Sequence, residues 1–327
     1  MAVPVTVENF VRAETDRMFS VLQAQAGGAN RLEHNRAPTS IEDQPVIRMN
    51  RDTLYSMAIV DISNGATVTV PDGGDRYISV MVVNQDHYIN RIIHDAGQYV
   101  LGVEEFDTPW VCVAARILVD PADRNDLAAV TALQDQFAIH AESSRPFAMP
   151  DYDKPSFDAT RKAVLELGKH LSSFDHAFGS KEEVDPVRHL VGTAAGWGGL
   201  PDREARYISV EPGLPDGEYR LTVRDVPVDG FWSISLYNAD GFFQANDRGA
   251  YSVNSITATP NDDGSVTVQF GGCGHGHPNC LPIMDGWNYT IRLYQPRSEV
   301  LDGSWIFPAI EPARPDEAPI GSASVGE

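Results

Sequence analysis

The chain has 327 residues and a formal net charge of −21 at pH 7, because 46 aspartates and glutamates outnumber 25 lysines and arginines. A length of this order predicts about two domains. A hydrophobic fraction of 42% is that of a folded chain and not of a disordered one. An acidic surface repels phosphate backbones and anionic lipids, so we expect neither nucleic acid nor a membrane as a partner.

The amino-terminal residues 1–10 contain no basic stretch followed by an apolar run, so they do not have the pattern of a signal peptide. No part of the sequence approaches the roughly 18 consecutive apolar residues that a membrane-spanning helix needs. Together these observations predict a cytoplasmic protein.

The first third of the chain changes from a helical to a β pattern. Residues 7–26 have apolar side chains at three- and four-residue steps, and Gly27 and Gly28 end this helix, which gives an N-terminal segment 1–28. Short β-branched runs follow and are separated by turn residues, so residues 29–120 are predicted to form a first β module. Its predicted strands are 56–62, 66–70, 77–84, 99–103 and 110–117.

The middle of the chain, residues 121–200, returns to helical spacing. We predict helices over 121–142, 156–174 and 181–192, the second of them capped by Ser156. This segment is therefore expected to be a helical connector.

Residues 201–310 have the β pattern again and form a predicted second β module, followed by a flexible tail at 311–327. Strands spaced in this way favour a sandwich or barrel over βαβ units, so the fold class is mainly β with a helical insert, α+β. No internal repeat is convincing in the sequence. The predicted strands are 206–210, 217–223, 231–237, 255–258, 265–270 and 287–294.

The heptapeptide Asn-Arg-Asp-Thr-Leu-Tyr-Ser at positions 50–56 concentrates polar groups before the first long strand. In a catalytic interpretation, Arg51 binds a carboxylate or polarises a carbonyl, Asp52 accepts a proton and Tyr55 donates a hydrogen bond, with Asn50 beside the ligand. In a structural interpretation, the same groups satisfy loop backbone in a buried corner. The sequence leaves both open.

Further candidates lie outside this block. His87, oriented by Asp86 or Asp61, has the chemistry of a general base, although a histidine at a strand end is more often a hydrogen-bonded surface residue. Asp61 is also a candidate ligand contact. Three aromatic side chains near glycines could form the apolar wall of a pocket or belong to sandwich cores, and these are Trp232, Tyr237 and Phe243.

A glycine-rich loop at 271–280 contains Cys273, His275, His277 and Cys280. Two thiolates and two imidazoles are a ligand set for Zn²⁺, but the four positions are much closer together than in ordinary zinc modules. A disulfide between the two cysteines, or a loop with no special role, explains the composition equally well. All three alternatives remain open.

Two strings in the chain resemble a known family. The Asn-x-Asp-Thr-Leu-Tyr-Ser string at 50–56 is similar to the N-terminal DUF1254 module, and the Asp-Gly-Phe-Phe string at 240–243 is similar to the companion DUF1214 module. The resemblance covers about residues 30–310. It implies two β-sandwich, jelly-roll-like modules joined by helices, and it implies no particular reaction.

Two functional hypotheses follow from the sequence. The first is a small-molecule binding protein or enzyme whose pocket lies between the two β modules, with acid–base chemistry on a neutral or partly apolar substrate. The alternative is a non-catalytic interaction or assembly protein that covers its sheet edges by association, for example as a homo-oligomer, with the Cys/His loop stapled by a metal or a disulfide.

Overall fold

A computed structural model describes residues 2–44, 47–171 and 173–313 of the chain. The described residues form sixteen strands and six α-helices. The sheets are antiparallel apart from one short parallel pair. The predicted class, mainly β with helices in the α+β sense, is confirmed at this level.

The first module, as we call strands β1–β8, has two sheets with the orders β1-β2-β7-β4-β5 and β6-β3-β8. Both sheets contribute β-branched side chains to one core, in which Val60, Val68 and Val113 are fully or almost fully buried. The strands are β1 (Glu33–His34), β2 (Thr53–Asp61), β3 (Ala66–Val70), β4 (Ile78–Asn84), β5 (Ile89–Ile93), β6 (Gly97–Leu101), β7 (Trp110–Leu118) and β8 (Ala138–Ala141).

The second module, strands β9–β16, also has two sheets, with the orders β12-β11-β15-β9 and β14-β13-β10-β16. Its core contains Ile234, Val268 and Leu293, which are fully buried. The strands are β9 (Ala205–Val210), β10 (Tyr219–Val223), β11 (Trp232–Tyr237), β12 (Ser252–Asn254), β13 (Val266–Phe270), β14 (Cys280–Leu281), β15 (Asn288–Tyr294) and β16 (Glu311–Pro312).

The two modules repeat one strand order. Across the larger sheet, the strand order β2-β7-β4-β5 of the first module matches the order β9-β15-β11-β12 of the second. Across the smaller sheet, β6-β3-β8 matches β13-β10-β16. The matched strands also follow one another in the same sequence along the chain. The sequence shows no convincing repeat at these positions, because a sheet fixes only the alternation of apolar and polar side chains and not their identity.

The helices lie mainly in the N-terminal segment and the connector. Helices α1, α4 and α5 share a small core that includes Phe10, Phe157 and Val191, and α2 and α6 are single turns. Asp123, Asp153 and Asp185 cap three of the helices by accepting hydrogen bonds from backbone N–H groups. The helices are α1 (Phe10–Gln25), α2 (Val103–Phe106), α3 (Arg124–Gln134), α4 (Lys154–Gly168), α5 (Pro186–Gly196) and α6 (Ser298–Leu301).

Several predicted boundaries are wrong, each for a local reason. The helix predicted over 121–142 ends at Gln134, because residues 138–141 pair with β3 at the edge of its sheet. The predicted cap Ser156 lies inside α4, whose cap is Asp153. The strand predicted at 255–258 is a turn, because the Asn254 side chain accepts hydrogen bonds from the backbone N–H groups of the next residues.

The predicted flexible tail at 311–327 is described only at its start. Glu311 and Pro312 pair with β10, and residues 314–327 lie outside the described part of the chain. None of the helices in the described residues is both long enough and apolar enough to cross a membrane.

Candidate functional site

In the first module, a row of three polar side chains crosses the larger sheet on the face opposite the module's core. Tyr55 on β2 and Ser79 on β4 are the cross-strand neighbours of Arg116 on β7. Other side chains on the same face of these strands, such as Met81, pack in a cluster that includes Phe231 of the second module. This face of the sheet therefore lies at the junction of the two modules.

The second module has the same row at the same register. Tyr207 on β9 and Ser233 on β11 are the cross-strand neighbours of Arg292 on β15. Because the strand orders correspond, the two tyrosine–arginine–serine rows occupy equivalent positions. The junction consequently contains two buried arginines, one from each module.

Arg292 is 3% exposed, and both of its terminal nitrogens donate to neutral protein groups. One of its terminal nitrogens donates to the hydroxyl of Ser235 at 2.9 Å. The other donates to the carbonyl oxygens of Arg48 and Met49 at 2.8 and 3.2 Å and to the hydroxyl of Tyr237 at 2.7 Å. Arg292 thus ties β15 to the loop that leads into β2.

Arg116 is 7% exposed and has far fewer partners. Its Nη2 donates to the carbonyl oxygen of Gly198 at 2.8 Å, and its guanidinium lies 5.5 Å from the centre of the Tyr55 ring. Its Nη1 is buried without a hydrogen-bond partner. A buried charged donor left unpaired is costly, so a ligand or a water molecule that accepts from Nη1 would stabilise the protein.

Both arginines remain charged. Burial acts to lower the pKa of Arg116, but electrostatic interactions with the ionisable side chains of Tyr55, Tyr207, Tyr77 and Tyr294 outweigh it, and the pKa is raised. The pKa of Arg292 is also raised, because Tyr237, Tyr294 and Asp52 outweigh the effect of burial.

Tyr55 has the properties of an acid–base group. Burial acts to raise its pKa, but the charge of Arg116 and hydrogen bonds with Thr53 and Asn50 outweigh burial, and the pKa lies below its usual value of 10. Tyr55 is half-buried, whereas 44% of Tyr207 is exposed. We call the part of the junction bounded by Tyr55, Arg116 and Tyr207 the cleft.

Two residues of the predicted block bind the modules together. Asn50 donates to the hydroxyl of Tyr294 at 3.0 Å. The fully buried Asp52 accepts from Ser252 at 3.3 Å and from Asn254 at 3.1 Å through Oδ1, and its Oδ2 has no partner. Both residues therefore connect the two modules, and Oδ2 of Asp52 is an unpaired acceptor.

Arg51 points away from the cleft. It donates to the carbonyl oxygen of Thr39, and its guanidinium lies 5.2 Å from the centre of the Tyr251 ring. The arginine that meets Tyr55 is therefore Arg116, and the predicted role of Arg51 as a ligand-binding cation in the same site is not supported.

The three predicted aromatic residues divide between two places. The Tyr237 hydroxyl bonds Arg292 and donates to the carbonyl oxygen of Met49 at 2.8 Å, and its ring packs against Phe243 at 4.7 Å. Trp232 points to the opposite face of β11 and belongs to the core of the second module. Trp232 consequently does not line the junction.

Asp61 lies at the far end of β2 from Tyr55. Arg145 contacts both oxygens of its carboxylate at 3.0 and 3.1 Å, and Ser63 and Ser143 also donate to it. Burial acts to raise the pKa of Asp61, but these hydrogen bonds outweigh it and hold the pKa well below its usual range. These contacts give Asp61 a structural role, in fixing the segment after β8.

His87 is fully buried and both of its ring nitrogens are engaged. Nε2 accepts from the backbone N–H of Gly198 at 2.9 Å, so Nδ1 carries the proton and donates to Thr193 at 2.8 Å. With no free nitrogen, His87 does not provide the predicted general base. It instead holds Gly198, whose carbonyl receives Arg116, so it positions the cleft indirectly.

In the glycine-rich loop, Cys273 and Cys280 form a disulfide. Sulfurs joined to each other are not available as thiolate ligands, so the predicted zinc set of Cys273, His275, His277 and Cys280 is incomplete in this structure. Within the described residues, no group of three or more histidine, cysteine or acidic side chains is arranged to hold a metal ion.

Two family models match the chain. The model described as "Protein of unknown function (DUF1254)" matches residues 29–141, and the one described as "Protein of unknown function (DUF1214)" matches residues 211–298. The chain belongs to the DUF1254/DUF1214 family. The resemblance predicted from the two strings is confirmed, with DUF1254 in the first module and DUF1214 in the second. None of the curated proteins compared matches the sequence.

Among solved structures, the chain is similar to the VPA0106 protein from Vibrio parahaemolyticus, with a TM-score of 0.71 and 17% identity over 94% of this chain and 98% of that one. It is also similar to a putative uncharacterized protein from Burkholderia cenocepacia, with a TM-score of 0.53 and 15% identity over 92% of this chain and 86% of that one. At these identities the likeness concerns the fold.

Four residues of the junction were not singled out from the sequence of this DUF1254/DUF1214 chain, namely Arg116, Arg292, Tyr207 and Tyr294. The sequence around Arg116 does contain a signal that could have identified this residue. Arg116 follows the apolar residues 110–115 inside one predicted strand, and an arginine in such a run must find buried partners. Arg292 sits in the same way between Ile291 and Leu293.

Two cavities have different chemistry, one in the second module and one between the modules. One of about 410 Å³ in the second module is lined by apolar residues such as Ile208, Leu214 and Phe307, and it contains no charged side chain. The other, of about 230 Å³, lies between the modules and is lined by polar residues that include His94. The cleft differs from both because a charged group inside it lacks a partner.

His94 in the smaller cavity is satisfied by the protein. Its Nδ1 lies 2.8 Å from the carbonyl oxygen of Ile78, and its Nε2 lies 2.8 Å from Glu204. Burial acts to lower the pKa of His94, but the hydrogen bonds to Glu204 and to the Ile78 carbonyl outweigh it and raise the pKa. Since Ile78 and Glu204 flank the junction, the two hydrogen bonds of His94 connect the two sides of the junction.

Proposed function

We propose that the cleft binds a small molecule and that Tyr55 exchanges a proton with it. The observation that carries this proposal is the buried Arg116, whose Nη1 has no partner and whose guanidinium lies over the ring of Tyr55. Sites between domains are common places for small ligands. The exposed fraction of Tyr207 indicates a route of entry.

The chemistry of the pair is that of a general acid. Because its pKa is lowered, Tyr55 gives up its proton more readily than an ordinary tyrosine. As the O–H bond breaks and the proton passes to a basic atom of the substrate, the positive charge of Arg116 stabilises the phenolate that is left. In the reverse direction the phenolate takes the proton back.

The proposal is tested by soaking crystals with a library of small anionic, neutral and cationic fragments. We expect fragments to bind against Tyr55 and Arg116 and to be lost from crystals of Tyr55→Phe or Arg116→Gln. The matched control is Tyr99→Phe, a hydroxyl that bonds the Asp95 backbone away from the cleft. A library that occupies only the apolar cavity beside Phe307, or no site at all, would overturn the proposal.

We also propose that each module is a jelly-roll-like sandwich. In the first module β2 pairs with β7, β3 with β6 and β4 with β5, and in the second β9 pairs with β15, β10 with β13 and β11 with β12. Such nested pairings are those of a long hairpin wrapped around a core. An experimental structure without them would contradict this assignment.

The predicted cytoplasmic location and the predicted absence of nucleic-acid and membrane partners stay predictions, as does a homo-oligomer. The disulfide between Cys273 and Cys280 is more typical of an oxidising compartment, which favours testing the location directly. Fractionation of cells with an antibody to the native protein would settle it.

A further inference from the structure

The charge of the junction is opposite in sign to that of the whole chain. Arg116 and Arg292 contribute two buried positive charges, and Asp52 contributes one negative charge. Tyr55 and Tyr207 add neutral hydroxyls. Among these five side chains, the two arginines and Asp52 leave one excess positive charge, inside a protein whose net charge is −21.

The protein does not neutralise that charge with an ion pair of its own. Among the described residues, neither Arg116 nor Arg292 forms an ion pair with a carboxylate, although many surface arginines do. Asp52 instead accepts from the neutral groups of Ser252 and Asn254. A buried cation without an anion is unfavourable, so an anion from outside would be stabilised here.

The two arginines differ in what they can still offer. Arg292 uses both terminal nitrogens on protein oxygens. Arg116 uses Nη2 on Gly198 and keeps Nη1 free beside Tyr55. The donors that remain are therefore one buried guanidinium nitrogen of Arg116 and the phenol of Tyr55.

On this basis we propose that the ligand of the cleft is a small monocarboxylate, whose carboxylate group pairs with Arg116 and hydrogen-bonds Tyr55. This inference rests on the proposed small-molecule site and adds the chemical class of its ligand. A guanidinium matches the planar carboxylate well. One excess positive charge neutralises a monoanion. It would neutralise only half of the charge of a phosphate dianion, so a monocarboxylate fits the site better.

The test uses fluorine NMR on the intact chain. The probes are 4-fluorobenzoate and its neutral isostere 4-fluorobenzamide, with trifluoroacetate as a smaller acid and inorganic phosphate as a competitor. We expect at least a tenfold preference for the acid over the amide. Phosphate should displace the acid at least tenfold less effectively than unlabelled benzoate does.

Variants test whether the fluorinated acids bind in the cleft. Arg116→Gln should weaken the binding of both acids at least tenfold, and Arg116→Lys should retain part of the binding because it keeps the charge but loses the planar fork. The matched control is Arg297→Gln, which removes an exposed arginine that pairs with Asp229. That variant should leave the binding of both acids unchanged, and circular dichroism should confirm that each variant is folded.

The outcomes separate this inference from the proposal on which it rests. Equal binding of amide and acid, or equally strong displacement by phosphate, would overturn the monocarboxylate while leaving a small-molecule site in place. Failure of both acids to bind at 20 mM, a concentration chosen for the assay, would also overturn the monocarboxylate. The small-molecule site itself fails only when the fragment library finds the cleft empty.

Discussion

Arg116 and Arg292 lie at the same register position in the two modules, each between a tyrosine and a serine on neighbouring strands. Arg292 donates to four protein oxygens and joins the second module to the chain before β2. Arg116 donates to one and keeps a nitrogen unpaired. The same side chain at the same place in a fold therefore stabilises the protein in one module and is available for binding in the other.

The largest expected effect is that of removing Arg292. Arg292→Met removes the charged donor of four hydrogen bonds to protein oxygens, among them the carbonyl of Met49 and the hydroxyl of Tyr237, so we expect the free energy of unfolding to fall by about 3–5 kcal/mol. Urea unfolding measures this loss. In Arg116→Met the change should stay within about 1 kcal/mol, because one hydrogen bond and one unpaired charge disappear together. Equal losses in the two variants would abolish the distinction between the arginines.

The disulfide gives a second difference between the modules. Cys273 and Cys280 are seven positions apart and close a loop in the second module, whereas Cys112 of the first module is a buried free thiol. Replacing Cys273 and Cys280 with serine should lower the free energy of unfolding by about 2 kcal/mol, because the unfolded chain regains the conformational entropy that closure of a loop of this size removes. Cys112→Ser is the control for thiol removal, and reducing agent should lower the stability of the native chain but not that of the double variant.

The contact of His94 with Glu204 predicts a pH dependence of the junction. The folded pKa of His94 is raised, so its contribution is complete below the unfolded pKa of about 6.5 and is lost as the pH rises through the folded pKa. We expect this contribution to be about 0.5–1 kcal/mol, because the pair is only partly buried. Unfolding at pH 5.5 and pH 9 should show a difference that His94→Gln abolishes. A difference that survives in His94→Gln would show that other groups cause it.

The smallest effect is on the titration of a single tyrosine. In an ultraviolet titration one phenol should ionise below the usual pKa of 10 and should be missing from Tyr55→Phe. Arg116→Gln should move that ionisation to higher pH, since it removes the charge that lowers the pKa of Tyr55. An unchanged titration in Arg116→Gln would mean that the two groups are not coupled.

Much of the fold is predictable from the sequence because it depends on local patterns. Turn residues and β-branched runs indicate most strands of both modules. The helix starts are less well predicted, since the helix expected from residue 121 begins at Arg124 after the cap Asp123. The edge strand at 138–141 was missed because pairing with β3 outweighs its local helical pattern.

The candidate site is predictable only in part. The block at 50–56 indicates Tyr55 and Asp52, which are adjacent in the sequence to the loop that crosses the junction. Arg116, Tyr207 and Arg292 come from strands more than 60 residues away, and their meeting depends on the packing of two sheets from different modules. No pattern within one strand encodes that packing, so Arg51 is the natural but mistaken choice for the cation beside Tyr55.

The repeated strand order also concerns the origin of the chain. Tyr77 and Phe231 each precede the equivalent strands β4 and β11, and their rings meet at 5.1 Å. Contact between equivalent positions is the mark of a two-fold axis, as in a symmetric dimer. A gene duplication that fused two copies of such a dimer would produce this arrangement, and fusion would then have freed one of two identical arginines to change its role.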